Sequence, residues 1–243
     1  MKSLVLACML VSAVAMADVG KVAMLGGAAT RTPKEGAAAE LALGTSIELG
    51  DTLEVKKGNL KLELTDGSVI MLAEKSQLVI TEAEFEGQER RGFGALLKAG
   101  SLWTKVKKAI GGAKYEVSTE RAVAGVRGTI FRIDADALVT AAKGKTKART
   151  ASIIRVTEGV VNVKPSAATA AASKGAVPKT VKATGPRKQV AGPNEITADE
   201  WEKKFVDLQQ NQQVAVGVDL WEQAEIDVAT RNDAFSKWIE KNQ

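Results

Sequence analysis

The sequence predicts a mainly β protein, built of short strands in a solenoid- or sandwich-like domain, with a C-terminal α-helical appendage. Three observations carry this. From residue 19 to about 163, short apolar runs are cut by the turn pairs Gly50-Asp51, Gly58-Asn59 and Asp66-Gly67, eight or nine residues apart. Strands of that length and spacing belong to all-β sandwiches, barrels and solenoids. Residues 164–193 then lose apolar content, and residues 194–243 take up helical spacing.

Residues 1–17 read as a secretory signal: Lys2 as the charged start, an apolar stretch over 4–14, and small residues at Ala15-Met16-Ala17 ahead of Asp18. That stretch is shorter than the roughly 20 apolar residues of a membrane span. The expected mature chain therefore starts at Asp18 and is exported to the periplasm or the cell surface. Cys8 is the only cysteine and leaves with the signal, so the mature chain has no disulfide and no thiol nucleophile. The sequence has no histidine. That removes Ser-His-Asp triads, Cys-His pairs, an imidazole base near neutral pH and His-ligated zinc. We expect no enzyme, no cofactor and no metal; paired carboxylates or a Ser-Lys arrangement are the remaining catalytic chemistry, and no motif marks either. The formal charge of +5 over 243 residues favours weak attraction to anionic surfaces over tight nucleic-acid binding.

Within 18–163, Leu53 and Val55, then Leu60, Leu62 and Leu64, then Val69 and Met71 alternate with polar residues, the period of a half-buried strand. The Asp66-Gly67 pair between two such runs is a hairpin signal. Further strands are expected at 78–81, 102–106, 115–119, 129–133, 153–156 and 160–163. The acidic run Glu82-Ala83-Glu84-Phe85-Glu86 lacks calcium-loop spacing and reads as a solvated turn. Residues 164–193 hold four of the five prolines, six basic residues and no acid, which reads as a flexible basic linker.

In 194–243, Thr197 and Glu200 have capping-box spacing ahead of Trp201, Phe205, Leu208 and Gln212. A second helix places Trp221, Ala224, Val228, Arg231, Phe235 and Trp238 on one face, with Gly217 as the break between the two. Trp201, Phe205, Trp221, Val228, Phe235 and Trp238 form the face that either braces the β domain or binds a partner. Five of the ten aromatic residues lie in this tail, so the face must be buried against something.

The six segments Leu49-Gly50-Asp51-Thr52-Leu53, the hairpin over 62–72, Lys98-Ala99-Gly100-Ser101-Leu102, Tyr115-Glu116-Val117-Ser118-Thr119, Gly125-Val126-Arg127-Gly128-Thr129 with the strand after it, and the run over 156–163 containing Gly159 stand here in that order. Together they resemble the FecR domain of bacterial envelope proteins. The resemblance implies a periplasmic β domain with repetitive strands, used in some bacteria to relay an outer-membrane receptor's state to a sigma factor. A sigma-regulating member would carry a cytoplasmic segment and a membrane span ahead of this domain. This chain opens instead on a signal-like stretch, so that mechanism is not carried over.

Asp66, Gly67, Gly125, Arg127, Gly128, Thr129 and Gly159 are the motif residues of that resemblance. Arg127 has the donor fork to clamp an anion, or it bonds backbone carbonyls or an acid such as Asp134 or Glu158. Turn stabilisation is the commoner use of such a segment. Lys143, Lys145, Lys147 and Arg149 form a basic stretch that can meet anionic lipid headgroups or an acidic envelope polymer, or is ordinary surface charge. The sequence thus points to a non-enzymatic binding or scaffolding module of the envelope with a role in signalling. Its expected partner is an envelope protein, with no nucleic acid and at most a peripheral membrane contact. An anionic-polymer or lipid binder and a carboxylate-based cell-wall enzyme are the alternatives, and oligomeric state is left open.

Overall fold

The computed structural model describes residues 18–108, 112–139, 149–173, 206–218, 220–226 and 232–243. The signal at 1–17, most of the basic linker, Lys143, Lys145, Lys147, the Thr197–Glu200 cap, Trp201, Phe205, Val228 and Arg231 lie outside the described residues.

The strands in chain order are β1 (Gly20–Leu25), β2 (Ala28–Thr32), β3 (Ala39–Glu40), β4 (Ser46–Ile47), β5 (Thr52–Lys57), β6 (Leu60–Leu64), β7 (Val69–Leu72), β8 (Gln77–Glu86) and β9 (Glu89–Ala99). They continue as β10 (Ser101–Lys105), β11 (Lys114–Ser118), β12 (Ala122–Val126), β13 (Ile130–Val139), β14 (Arg149–Glu158) and β15 (Val161–Pro165). A short helix α1 (Ala167–Ser173) precedes β16 (Val206–Leu208), β17 (Gln212–Gly217), β18 (Leu220–Glu225) and helix α2 (Ala234–Asn242).

Among the described residues these strands form two open nine-stranded sheets. The first runs β18-β17-β14-β13-β10-β7-β6-β1-β4 and the second β16-β15-β12-β11-β9-β8-β5-β2-β3. From β6 onward the chain lays β6 and β7 on the first sheet, β8 and β9 on the second, β10 on the first, β11 and β12 on the second, and so on to β18. Both sheets therefore grow in the same direction. Neighbours are antiparallel except β9 and β11, which pair in parallel because β10 crosses to the other sheet between them. Neither sheet closes, and the two pack face to face over a shared core as a sandwich.

The core lies between the sheets. Alternation puts Leu60, Leu62 and Leu64 from β6, Phe131 and Ile133 from β13, and Ile154 and Val156 from β14 against Leu53 and Val55 from β5, Leu78 and Ile80 from β8, and Val161 and Val163 from β15. All are at least 97% buried. The interior is aliphatic, as the scarcity of aromatics over this region predicts, with Phe93, Tyr115 and Phe131 as its buried rings.

Two expectations are corrected. The acidic run Glu82–Glu86 is strand, not turn: β8 continues to Glu86 and pairs with β9 from Glu89 onward. Glu82, Glu84 and Glu86 alternate with Ala83 and Phe85, and Gly92 and Gly94 leave the space opposite that the glutamates fill; a Cβ on Gly92 would meet Glu82 Oε1 at 2.6 Å. The tail differs more. Residues 206–225 are strands, with β16 on β15, β17 on β14, and β18 on β17; only α2 is helical among the described residues of this region.

The physical reason is that Val214 and Val216 alternate and are fully buried, while the outer backbone of β14 and β15 needs strand partners. Gly217 ends β17 at a hairpin instead of separating two helices. Trp221, expected on a buried seam, is 39% exposed, and its neighbour Leu220 is the buried residue.

At the first turns the backbones approach closely. A Cβ on Gly58, whose φ is +80°, would lie on the Gly26 carbonyl oxygen. Gly58→Ala is expected to cost about 2–3 kcal/mol, the left-handed strain adding to the clash, and urea denaturation of the variant measures it.

Candidate functional site

The Asp66-Gly67 hairpin motif is built around a buried ion pair. Asp66 sits in the turn between β6 and β7, where its Oδ1 accepts the Ser68 amide (2.8 Å) and its Oδ2 the Ser68 hydroxyl (2.8 Å). Gly67 takes φ +80°, which the turn requires and which glycine adopts without strain. Arg90, on β9 of the opposite sheet, reaches across to Asp66 with its side chain 1% exposed. The same guanidinium donates to Ser68 Oγ (3.1 Å) and to the Lys107 carbonyl (3.1 Å), and it lies 5.0 Å over the Tyr115 ring.

Tyr115 stacks on Phe93 at 4.8 Å. Because Thr104 donates to the Val69 carbonyl (2.9 Å), the Tyr115 hydroxyl donates to Thr104 (2.8 Å). Burial pushes the Tyr115 phenol far above its ordinary value, so it stays a neutral donor. A second bridge between the sheets joins Thr119 to Ser152 at 2.7 Å. Beside the Asp66 turn, Asp18, Lys21, Glu63, Thr65 and Lys107 line an open hollow of about 360 Å³.

The Gly125–Thr129 segment is structural where it is buried. Gly125 lies in β12 opposite Asn162. Gly128 and Gly159 take φ +65° and +84°, and a Cβ on Gly159 would stand 3.0 Å from Thr129 Oγ1. Thr129 donates that hydroxyl to the Val160 carbonyl (3.0 Å). Arg127 is exposed and makes no hydrogen bond or ion pair with a described residue. It pairs with neither of its two expected acids, Asp134 and Glu158, and Asp134 accepts instead from Ser101 Oγ (2.5 Å), from Arg132 Nε (3.0 Å) and from Arg155. Of the basic stretch, only Arg149 falls on a described element, at the start of β14.

That Asp134 cluster anchors the C-terminal helix on the outer face of the first sheet. Phe235 and Ile239 are buried against Met71 and Trp103, with Trp238 packed alongside. Asp233 caps α2 by accepting the Ser236 amide (2.7 Å), and Arg132 pairs with it at 2.6 Å while lying 5.1 Å over the Phe235 ring. At the far end Lys61 donates to the Asn242 carbonyl (2.5 Å). Arg155 also donates to Gln213 Oε1 (3.0 Å) on β17. An open hollow of about 220 Å³ beside the helix is lined by Trp103, Arg132, Arg155, Thr157, Ser236 and Glu240, among others.

So of the expected aromatic face, Phe235 and Trp238 are together on α2 and Trp221 stands apart on β18. Sequence reasoning missed Arg90, Arg132 and Arg155. The signal for Arg132 was present: it alternates with the buried Phe131 and Ile133, which puts it on the outer face beside Asp134. Arg90 gave no such signal, since its partner lies 24 residues away on the other sheet. Among the described residues no group of three or more acids forms a metal cluster.

Residues 51–162, from the start of β5 into β15, match the family model described as FecR protein. This segment is a FecR domain. It contains the Asp66–Arg90 tie, Tyr115, the Gly125–Thr129 turn and the Asp134 cluster. Strands β1–β4 and β16–β18 lie outside the match and extend both sheets of the FecR domain at their two ends.

Two crystal structures from Parabacteroides distasonis, each provisionally described as an anti-sigma factor, also match. One is 16% identical with a TM-score of 0.43, covering 72% of this chain and 59% of that chain. The other is 15% identical with a TM-score of 0.45, covering 77% and 64%. The chain thus spans about three fifths of the length of those proteins. No curated protein matches.

Two outcomes test this geometry. Arg90→Ala leaves the Asp66 carboxylate buried without its cation and is expected to cost about 3–5 kcal/mol. Adding Asp66→Ala should recover part of that loss in a double-mutant cycle read by urea denaturation.

The second outcome concerns acid. Partial burial alone would raise the Asp233 carboxyl, but the Ser236 amide and the Arg132 guanidinium outweigh it and hold the group below its ordinary value. A carboxyl more acidic folded than unfolded stabilises at neutral pH and loses that contribution as pH falls below about 4. Tryptophan fluorescence should report loosening of α2 in that window. Asp233→Asn, which keeps a capping oxygen and removes the charge, should flatten the acid step.

Proposed function

We propose that this chain is an exported, non-enzymatic regulatory module of the FecR type that works by binding another envelope protein in a signalling pathway. The observation that carries the reading is the FecR domain at 51–162, whose buried polar side chains are engaged with one another. Asp66, Ser68, Arg90, Thr104, Tyr115, Thr129 and Ser152 all bond within the sandwich. What the domain offers a partner is its surface and its sheet edges.

Export is supported by the signal pattern of residues 1–17 and by the way Asp18 is tied to the fold. Its carbonyl accepts from Thr65 Oγ1 (2.7 Å), its Oδ1 from the Gly20 amide (3.2 Å) and its Oδ2 from Ser46 Oγ (3.3 Å). A chain cut after Ala17 keeps the whole β domain. Similarity to proteins provisionally described as anti-sigma factors is in keeping with signalling and assigns no sigma factor to this chain.

Truncation before residue 206 is not a fair test of partner binding, because it strips β16, β17 and β18 from both sheets. The test is photo-cross-linking of the full-length protein in its native envelope, together with N-terminal sequencing of the recovered chain. We expect Asp18 as the first residue and a specific protein partner. A chain that retains Met1 in the cytosolic fraction overturns export, and an envelope-exposed protein that captures no partner overturns the binding role.

A further inference from the structure

The two ends of the sandwich differ in how they treat their edges. At one end the edge strands are β3 and β4, each only two residues long, which is how natural sheets blunt an edge. At the other end the second sheet stops at β16, three residues long. The first sheet stops at β18, with six residues and side chains exposed on both faces from Trp221 to Glu225.

Of the usual protecting devices β18 carries only acidic charge, at Glu222 and Glu225. Its register with β17 is regular from Gly217 to Gln212, without a bulge, and the stretch over 218–227 contains no lysine, arginine or proline. Among the described residues nothing pairs with its outer side. The Ile226 amide bonds inward to the Asn211 carbonyl at 3.0 Å. Since backbone groups alternate along a strand, Glu222 and Ala224 also face β17, and the amides and carbonyls of Trp221, Gln223 and Glu225 point outward.

We propose that the outer edge of β18 is a strand-addition site for an extended, basic segment of a partner protein. Backbone bonds at Trp221, Gln223 and Glu225 supply the pairing, and the half-exposed Trp221 ring supplies an apolar anchor. Charge selects the occupant. Glu222 and Glu225, with Asp219 and Asp227 on either side in the sequence, give this stretch four acids and no base. A second copy of β18 would bring two such acidic strands within a Debye length and repel, whereas a lysine-rich strand is attracted.

This inference rests on the protein-binding reading above, and the two fail separately. If β18 is not the surface, the envelope cross-linking experiment can still return a partner through another one.

The test uses the full mature protein and a short fluorescein-labelled peptide of alternating lysine and valine, followed by fluorescence anisotropy and by hydrogen exchange of the β18 amides. We expect saturable binding that weakens with salt, slowed exchange at Trp221, Gln223 and Glu225, and no binding of a peptide in which proline replaces valine. Gln223→Pro removes an outward amide that β17 does not use, so it should spare the fold and weaken binding at least about tenfold. Should that variant fail to fold, the pair Glu222→Lys and Glu225→Lys decides the matter by switching preference to a peptide of alternating glutamate and valine. Absence of saturable binding, or binding untouched by these changes, overturns the proposal. So does a concentration-dependent dimer abolished by Gln223→Pro, which would give the edge to a second copy.

Discussion

The buried pair of Arg90 and Asp66 is the contact on which the arrangement of the two sheets turns. Each hairpin of this chain belongs to one sheet, and its successor belongs to the other, so nothing in the backbone ladders fixes how the sheets face each other. Aliphatic packing favours the sandwich without specifying one alignment. A guanidinium on β9 that must meet a carboxylate in the turn between β6 and β7 does specify it, because a slip of either sheet would strand two charges away from water. The pair's net contribution to stability is modest for that same reason; its effect is to penalise every other alignment. Ser68 and the Lys107 carbonyl accept from the same guanidinium and the Tyr115 ring lies against its face, while Arg90 Nε is buried without a hydrogen-bond partner among the described residues.

The same logic recurs in weaker form along the interface. Tyr115 with Thr104, and Thr119 with Ser152, are neutral hydrogen bonds that cross from one sheet to the other at successive positions. Each needs one strand of each sheet in register, so they report alignment without the desolvation cost of an ion pair. Outside the core, Asp134 gathers Ser101, Arg132 and Arg155 on the outer face of the first sheet, and through Arg132 it reaches the cap of the C-terminal helix. The helix thereby covers Met71 and Trp103, which would otherwise be an apolar patch on an exposed sheet face. Its anchoring depends on charges at its start and on Phe235 and Ile239 along its length.

Function in such a molecule is pushed outward. The glycines and the threonine of the Gly125–Thr129 motif are occupied in forming a turn, and the one motif side chain left in solvent is Arg127. Meanwhile the strands outside the family segment extend both sheets, and they end differently: short and blunt at one side, long and acidic at the other. Edges are where β proteins are most easily recruited by other chains, which makes the asymmetry informative about where contacts form.

The sequence by itself determined the class and the local elements. Period-two alternation at Leu60, Leu62 and Leu64, and at Phe131 and Ile133, fixes which face is buried, because a strand has only two faces. Asp66-Gly67 fixes a hairpin because few residues tolerate its backbone. The tertiary structure alone decided the pairing. Gln212–Gly217 alternates well enough to be a strand, yet its neighbours also fit a helical seam, and only the open backbone of β14 and β15 selects between them. Glu82–Glu86 looks like a solvated turn until Gly92 and Gly94 make room across the ladder. Arg90 carries no local sign of its role, since a charge is buried only when its partner is brought to it from elsewhere in the chain. Local rules read contacts a few residues apart, whereas strand order and buried ion pairs are long-range choices settled by the whole fold.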